Sequence, residues 1–433
     1  FRSQYCKEHG ILKGEFTYDL IPFDILAKYA AIDTAVTYEL YQLFVTKILS
    51  SNELTRVYKE LMVPGMLFLK EVEEAGVPFD LSRLKKVQQL MEDQIRDAKE
   101  KLYEFDEVHK FEKAQGKVFN PNSTQQLRVL LFDFLSLTPT GKLTGTGAQS
   151  TDAEVLKTLA DEHPIPGVIL DIRQKSKIKN TYLDKVIPAL DKDSRIRTGF
   201  NLTSTTSGRL SSSGKLNMQQ LPRDNSAVKG CIKAREGYKI LQQDLATAEV
   251  YVAAVLSKDK NLQNVFKSGG DLHSTVAKMV FQLPHEVADI KTYAAKERQA
   301  AKAITFGIMY GSGPAKVSET VTKDSGEFFS VQQARETIDK YFMTFRKLKT
   351  WLSKSKEQIE SDGYIYSILG RKRRLPNVFS NDKGIASHEV RSGINFLIQS
   401  VASDINLLAG VELLKWIKET EVDAKIIALV HDS

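Results

Sequence analysis

Arg298, Lys302, Phe306 and Tyr310 recur every fourth residue in RQAAKAITFGIMYG, and the run ends at Gly311. A helix gathers such positions on one face. A step of four residues turns about 40° past a full circle, so the four side chains trace a slowly drifting stripe. The stripe presents two cations and then two aromatic rings, which suits a nucleoside triphosphate: cations meet phosphates and rings meet a base. An amphipathic helix with a solvated basic end accounts for a lone Arg or Lys. It does not account for four matched positions followed by a glycine.

The chain of 433 residues is 42% hydrophobic, enough for about three domains with cores of their own. No run of eighteen apolar residues occurs, and the opening FRSQYCKEHG has neither an initiator Met nor a signal-peptide pattern. Nothing is therefore expected to span or cross a membrane, and the chain reads as cut from something longer. A net charge of +7 with pI near 9.0 favours a polyanionic partner without singling out nucleic acid. Cys6 and Cys231 are isolated thiols, suited to a reducing compartment such as the cytoplasm. The histidines show no zinc-type spacing, so any metal should be held by carboxylates.

Residues 21–48 carry apolar positions at helical spacing, with Tyr29 and Asp33 one turn apart. A second helix is expected over 54–69, broken at Gly76 and Pro78. Leu84, Val87, Met91, Ile95, Ala98, Leu102 and Phe105 then alternate three and four apart, the apolar seam of a long helix packed on an antiparallel partner. Residues 139–151, rich in Gly and Thr, should form a loop. Beyond it Arg173, Lys177 and Lys179 share a helix with Tyr182, and either a solvated face or a phosphate-tracking surface explains them. From residue 196 the chain turns to Ser, Thr, Gly and short β-like runs. SGRLSSSGKL there is not a phosphate-binding P-loop: its glycines are wrongly spaced, and Leu216 stands where a Ser or Thr must hold Mg²⁺.

Two apolar segments each lead to a carboxylate. Residues 238–243, YKILQQ, are a strand candidate running into Asp244, and residues 424–430 are a second, running into His431 and Asp432. Singly, each Asp is an ordinary cap or turn residue. If the strands are neighbours the carboxylates converge, and with one or two Mg²⁺ ions they form the apparatus for in-line phosphoryl transfer. One metal would lower the pKa of an attacking hydroxyl; the other would stabilise leaving pyrophosphate.

In the order DLATAE, RQAAKAITFGIMYG, VHDS these elements resemble motifs A, B and C of the family A DNA polymerases. FNPNSTQQL, STTSGRLSSSGKLNMQQLP, GGDLHSTVAK, LGRKRRLP and RSGINFLIQSVASDI are similar to further family segments in family order, so the resemblance covers essentially the whole chain. It implies an α+β, multidomain right hand with a helical thumb, a mixed β-sheet palm and helical fingers, preceded by the last helix of a 3′-5′ exonuclease domain. The implied divisions are an exonuclease remnant at 1–50, thumb at 51–164, palm at 165–257, fingers at 258–385 and the rest of the palm at 386–433. The implied activity is template-directed addition of deoxyribonucleotides to a primer 3′ end, in phage or viral replication in the cytoplasm of a bacterial host.

Roles follow from the resemblance residue by residue. Asp244 and Asp432 would bind two Mg²⁺ ions, with Mn²⁺ able to substitute, helped by the backbone carbonyl of Leu245. Arg298 and Lys302 would meet the triphosphate of a deoxyribonucleotide, Lys302 also protonating pyrophosphate, with His273 assisting. Phe306 and Tyr310 would floor the sugar and templating base. Glu249 would exclude a ribose 2′-hydroxyl by bulk and by leaving it unpartnered. Arg209, Arg391, Asn395 and Gln399 would contact the primer-template DNA in its minor groove, whose acceptors are shared by all Watson–Crick pairs, or at its terminal pair; the phosphate-tracking reading of Arg173 and Lys177 rests on their helix face, not on the resemblance. Phe306, lacking a hydroxyl, implies discrimination against dideoxynucleotides. Tyr29 and Asp33 would belong to an exonuclease site whose other carboxylates lie upstream, so the chain alone should not proofread. No motif specifies a replisome partner.

One departure from the family pattern is Ser433, where a second acidic residue usually follows the motif C aspartate; a neutral ligand there leaves fewer charges for the metals. A single-subunit RNA polymerase shares the paired aspartates and the Lys302-to-Tyr310 spacing, but Glu249, Phe306, Tyr29 and Asp33 speak against it. The expected truncation of the chain and Ser433 are the features that favour a non-catalytic DNA-binding fragment.

Overall fold

The computed structural model describes residues 2–12, 14–214, 216–221, 226–245, 247–269, 271–325 and 328–430. Local chemistry sets the helix ends. α1 spans Phe23–Leu49 and α2 spans Val63–Ala75, ending at Gly76 with φ +61°. α3, Leu81–Tyr103, begins where the Asp80 carboxylate accepts from the Arg83 amide at 3.0 Å. α4 is Asp106–Gln115, α5 is Ala153–Leu159 capped by Asp152, and α6, Pro164–Lys177, carries proline in its first turn. In the second half come α7 (Ala248–Ser257), α8 (Leu272–Phe281, capped by Asp271), α9 (Ala295–Met309) and α10 (Pro314–Ser325). α11 (Val331–Thr344) opens with a Ser330–Gln333 capping box, α12 (Arg346–Asp362) stops at Gly363, and α13 (Lys383–Thr420) is capped by Asp382.

The seam read from the sequence of α3 is real: Leu84, Met91, Ala98 and Leu102 are buried. Ala98 and Leu102 share a core with Ile165, Ile169 and Ile172 of α6. The largest core surrounds α9, whose Ala300, Ala301, Ile304 and Ile308 pack with Val250, Val276 and Tyr341. α13 threads three cores in succession. Val390 and Ile394 meet Ile359 and Leu375; Ile398 and Val401 enter the core around α9; Leu407 and Val411 meet Phe68 and Leu69 of α2. By length and composition alone α13 could cross a membrane, although it contains no unbroken apolar run. Val390, Ile394, Ile398, Val401, Leu407 and Val411 are instead engaged in these internal contacts, while Ile405, Leu413 and Trp416 are exposed.

Strands are short and antiparallel. β1 (Val77–Pro78) pairs with β2 (Arg195–Ile196), β3 (Gly199–Asn201) with β4 (Ser211–Ser213), and β5 (Tyr364–Tyr366) with β6 (Lys372–Arg374). The expected strands at 238–243 and 424–430 belong to no ladder among the described residues, which hold these three ribbons rather than a mixed sheet. Apolar sequence in 424–430 is satisfied by packing: Leu429 and Ile426 join the Leu69–Leu407 core, while Ala428 packs on the core of Leu216 and Met218. In 238–243, Leu241 is 91% exposed, so that stretch lacks the covered face a strand there would need.

The approach of α2 to α13 depends on two glycines. A Cβ on Gly65 would lie 2.7 Å from Leu407 Cδ2, and one on Gly410 would lie 2.6 Å from Phe68 Cζ, a ring that is 1% exposed. Gly410→Ala should therefore destabilise the protein by about 1–3 kcal/mol through overpacking. Urea unfolding checks this, with Gly145→Ala, which meets open space, as the neutral control.

Candidate active site

α9 buries Ala300, Ala301, Ile304 and Ile308, and this rotation leaves Arg298 and Lys302 on its other side, with Phe306 half-buried against the same core. Tyr310 caps the helix and Gly311 follows at φ +68°, where a Cβ would come within 2.8 Å of Arg391 Cγ. Glycine is required there on both counts. Lys302 is exposed; the Phe306 and Tyr310 rings stack at 6.4 Å and 15°, and His273 of α8 approaches Phe306 at 5.6 Å.

Arg298 is held by a residue the sequence reading did not single out. Its Nε and Nη2 donate to the two oxygens of Asp271 at 2.8 and 2.9 Å, and Nε also donates to Ser274 Oγ at 3.2 Å. Burial pushes the Asp271 carboxyl up, but the guanidinium, the Ser274 hydroxyl and the Ser274 amide outweigh it and hold the group well below the usual carboxylate range. The signal was available in GGDLHSTVAK as an Asp at a helix start. Two residues on, His273 is buried with Nδ1 unpartnered. Burial first, then Arg298 and Lys302, push its pKa down to about 4 against the opposing pull of Asp271.

Glu249, 6% exposed, is the meeting point of separate segments. Arg209 Nη2 donates to its Oε1 and the Tyr310 hydroxyl to its Oε2. Burial, followed by the Glu249 carboxylate, raises the Tyr310 pKa, and Gln399 hydrogen-bonds the same hydroxyl. Gln399 is the last of three residues four apart on α13, after Arg391 at Gly311 and Asn395, whose Oδ1 is buried without a partner. Arg209, Glu249, Tyr310 and Gln399 thus meet in one cluster, and the rings of Phe306 and His273 continue from it through Tyr310.

Asp244 and Leu245 lie in an irregular segment, Asp244 exposed. Asp432, with His431 and Ser433, lies outside the described residues, so convergence of the two carboxylates is not defined. The approaches to both are clasped together, however. Arg235 stacks on Tyr238 at 3.7 Å and reaches both oxygens of Asp423 at 3.4 Å, and the Tyr238 hydroxyl donates to that same carboxylate. Gln219 Nε2 adds a 3.4 Å bond to the Leu429 carbonyl.

The remaining residues stand apart. Arg173 donates to the carbonyls of Pro121 and Thr151 at 2.7 and 2.8 Å, an internal fastening that ties α6 to the neighbouring loops, whereas Lys177 is exposed. Tyr29 and Asp33 are joined by a hydrogen bond on α1, which raises the Tyr29 pKa; no side chain of α1 is buried.

The family model described as DNA polymerase family A matches residues 82–433. The chain is 50% identical, over its whole length, to 53% of the DNA polymerase of Escherichia phage T5. It is 31% identical, over 93% of its length, to 46% of the thermostable DNA polymerase I of Thermus thermophilus. It therefore spans about half the length of the curated relatives it matches. Among solved structures it resembles the POL domain of Pol1 from M. smegmatis, in complex with DNA primer-template and dNTP. The TM-score is 0.73 and the identity 30%, covering 86% of this chain and 62% of that one.

The His273 pKa fixes a pH dependence. Folded His273 stays neutral down to about 4, whereas the unfolded chain takes up its proton near 6.5. The unfolded state then binds more protons between these values, so stability falls as pH drops through that window, by a few kcal/mol at most. Urea unfolding at several pH values should show a shallower decline in His273→Gln.

Proposed function

Because the chain belongs to DNA polymerase family A, we propose that it forms the polymerase part of a template-directed DNA polymerase of phage replication, adding deoxyribonucleotides to a primer 3′ end. The observation that carries this is the cluster on Glu249: a buried carboxylate, held by Arg209 and Tyr310, at the end of a helix that presents Arg298, Lys302 and Phe306. Primer-template DNA and deoxyribonucleoside triphosphates are its proposed partners. The structural relative was solved with both.

Each group has a task in this reading. Arg298 and Lys302 bind the triphosphate, Lys302 being placed to protonate leaving pyrophosphate, and neutral His273 supplies a hydrogen bond from its buried ring. Phe306 and Tyr310 support the sugar and the base. Glu249 sits where a 2′-hydroxyl would enter, and its oxygens are engaged by Arg209 and Tyr310, which hold the carboxylate in place so that the hydroxyl would meet its bulk. Arg209, Arg391, Asn395 and Gln399 face the minor groove; the orphaned Asn395 Oδ1 is an acceptor suited to a donor from outside the protein. Lys177 is suited to a phosphate, while Arg173 serves the same surface by holding it in shape.

Metal binding falls to Asp244, the Leu245 carbonyl and Asp432. Asp244 fits the part: it is an exposed hard oxygen donor that makes no ion pair among the described residues. Two Mg²⁺ ions, or Mn²⁺, would supply activation of the primer hydroxyl and charge stabilisation at pyrophosphate. Residues 51–164 form the proposed thumb, 165–257 and 386–433 the palm and 258–385 the fingers, with 1–50 left from an exonuclease domain. Replication in the bacterial cytoplasm is the matching location.

Primer extension with Mg²⁺ by the full-length protein tests the reading, using each nucleotide class in turn. Deoxyribonucleotides should be extended and ribonucleotides strongly disfavoured; equal use would favour an RNA polymerase, and DNA binding without extension a non-catalytic protein. Asp244→Asn should lower kcat by about 10²–10³-fold, as loss of one preorganised electrostatic group does. Phe306→Tyr restores a hydroxyl near the sugar 3′ position and should relax discrimination against dideoxynucleotides by about tenfold or more, the equivalent of one good hydrogen bond. Competitive incorporation assays would read the ratio directly.

A further inference from the structure

Arg371 and Asp404 lie outside every role given so far. Asp404, on α13, is 1% exposed, and the Arg371 side chain, in the turn between β5 and β6, is 14% exposed. Arg371 Nε reaches the two Asp404 oxygens at 2.9 and 2.8 Å. A buried pair of this kind adds little net stability over a well-packed apolar pair, because desolvation offsets the attraction. Its bonds are directional, however, and they fix what rests on them.

The 205–209 turn rests on them. Gly208, at φ +79°, faces the stem of Arg371: a Cβ there would lie 3.3 Å from Arg371 Cδ, 3.4 Å from its Nε and 3.4 Å from Ser400 Cβ. Ser403 Oγ donates to the Gly208 carbonyl at 3.4 Å. The turn is closed by Gly208 N–H to Thr205 O at 3.3 Å and by Thr205 Oγ1 to Arg209 O at 2.6 Å. The residue it delivers is Arg209, whose guanidinium holds Glu249. One turn of α13 therefore acts on both ends of the cluster: Gln399 on Tyr310, and Ser400, Ser403 and Asp404 on the turn that carries Arg209.

We propose that Arg371 and Asp404 are positioning residues for sugar selection: the pair seats the 205–209 turn so that Arg209 holds Glu249 where a ribose 2′-hydroxyl would enter. Neither touches the nucleotide; both act through Arg209. This rests on the polymerase reading of Glu249 given above.

The test compares kcat/KM for a deoxyribonucleotide and its ribonucleotide in single-nucleotide primer extension by the full-length protein. The variants are Arg371→Lys, Asp404→Asn and the double variant Arg371→Met/Asp404→Leu, with Glu249→Ala as reference. Lysine lacks the planar fork and the amide lacks the charge. The apolar double variant leaves no unpaired buried charge and so keeps the fold. The ratio is independent of the active fraction, so lost stability alone does not move it. We expect it to fall about tenfold in Arg371→Lys and in the double variant, as a charge-assisted bond loses its alignment, and further in Glu249→Ala. Wild-type ratios in the pair variants alongside a collapsed ratio in Glu249→Ala overturn the positioning role alone. A Glu249→Ala protein that still discriminates, or a wild-type protein without extension, overturns the role together with the reading beneath it.

Discussion

A carboxylate at 6% exposure needs hydrogen-bond partners, and Glu249 finds them in two different parts of the chain. Arg209 comes from the turn before β4, and Tyr310 from the end of α9. Removing either would leave a buried polar group half satisfied, which costs more than the lost bond itself. The cluster therefore couples the position of α9 to that of the β3–β4 region. Movement of one against the other has to break or rotate the bonds on Glu249, so the side chain proposed to test the sugar also senses where the helix stands.

α13 makes that coupling possible. It passes through three cores, and each stretch of it serves a different neighbour: Arg391 lies against Gly311, Gln399 bonds Tyr310, Asp404 binds Arg371, and Leu407 and Val411 pack on α2. A helix buried at several points along its length is hard to shift in part. It supplies a fixed reference for α9 and for the turn carrying Arg209, in keeping with the rule that sites are most exact when held by regular elements with supporting packing.

Helices were legible in the sequence because their periodicity is local. The α3 seam and the α9 stripe needed nothing beyond residue spacing, and both stand in the structure with the expected faces. Strands at 238–243 and 424–430 were misread because the pattern that suggests a strand records only which residues avoid water. Ile426, Ala428 and Leu429 avoid it by wedging between two cores, and no ladder is needed. Arg298, Phe306 and Tyr310 could be named from spacing, and Glu249, Arg209 and Gln399 from family resemblance. Arg371 and Asp404 could not, since their relation spans 33 positions and depends on how a hairpin meets a helix. Arg173 carried the opposite error: a cation on a basic helix face looked like a phosphate contact, but its bonds to Pro121 and Thr151 show a guanidinium turned inward.

Arg298 brings the electrostatics of α9 together. Two of its donors are committed to Asp271, an acceptor held ionised by that same guanidinium, so the pair is self-reinforcing. An incoming triphosphate would have to share or displace Asp271, and it brings more negative charge than one carboxylate does. His273, adjacent and neutral, feels the same field: Arg298 and Lys302 push its proton away while Asp271 draws it in. The helix face thus does more than present charge. In the polymerase reading it would also have to give up one anion, Asp271, to take another.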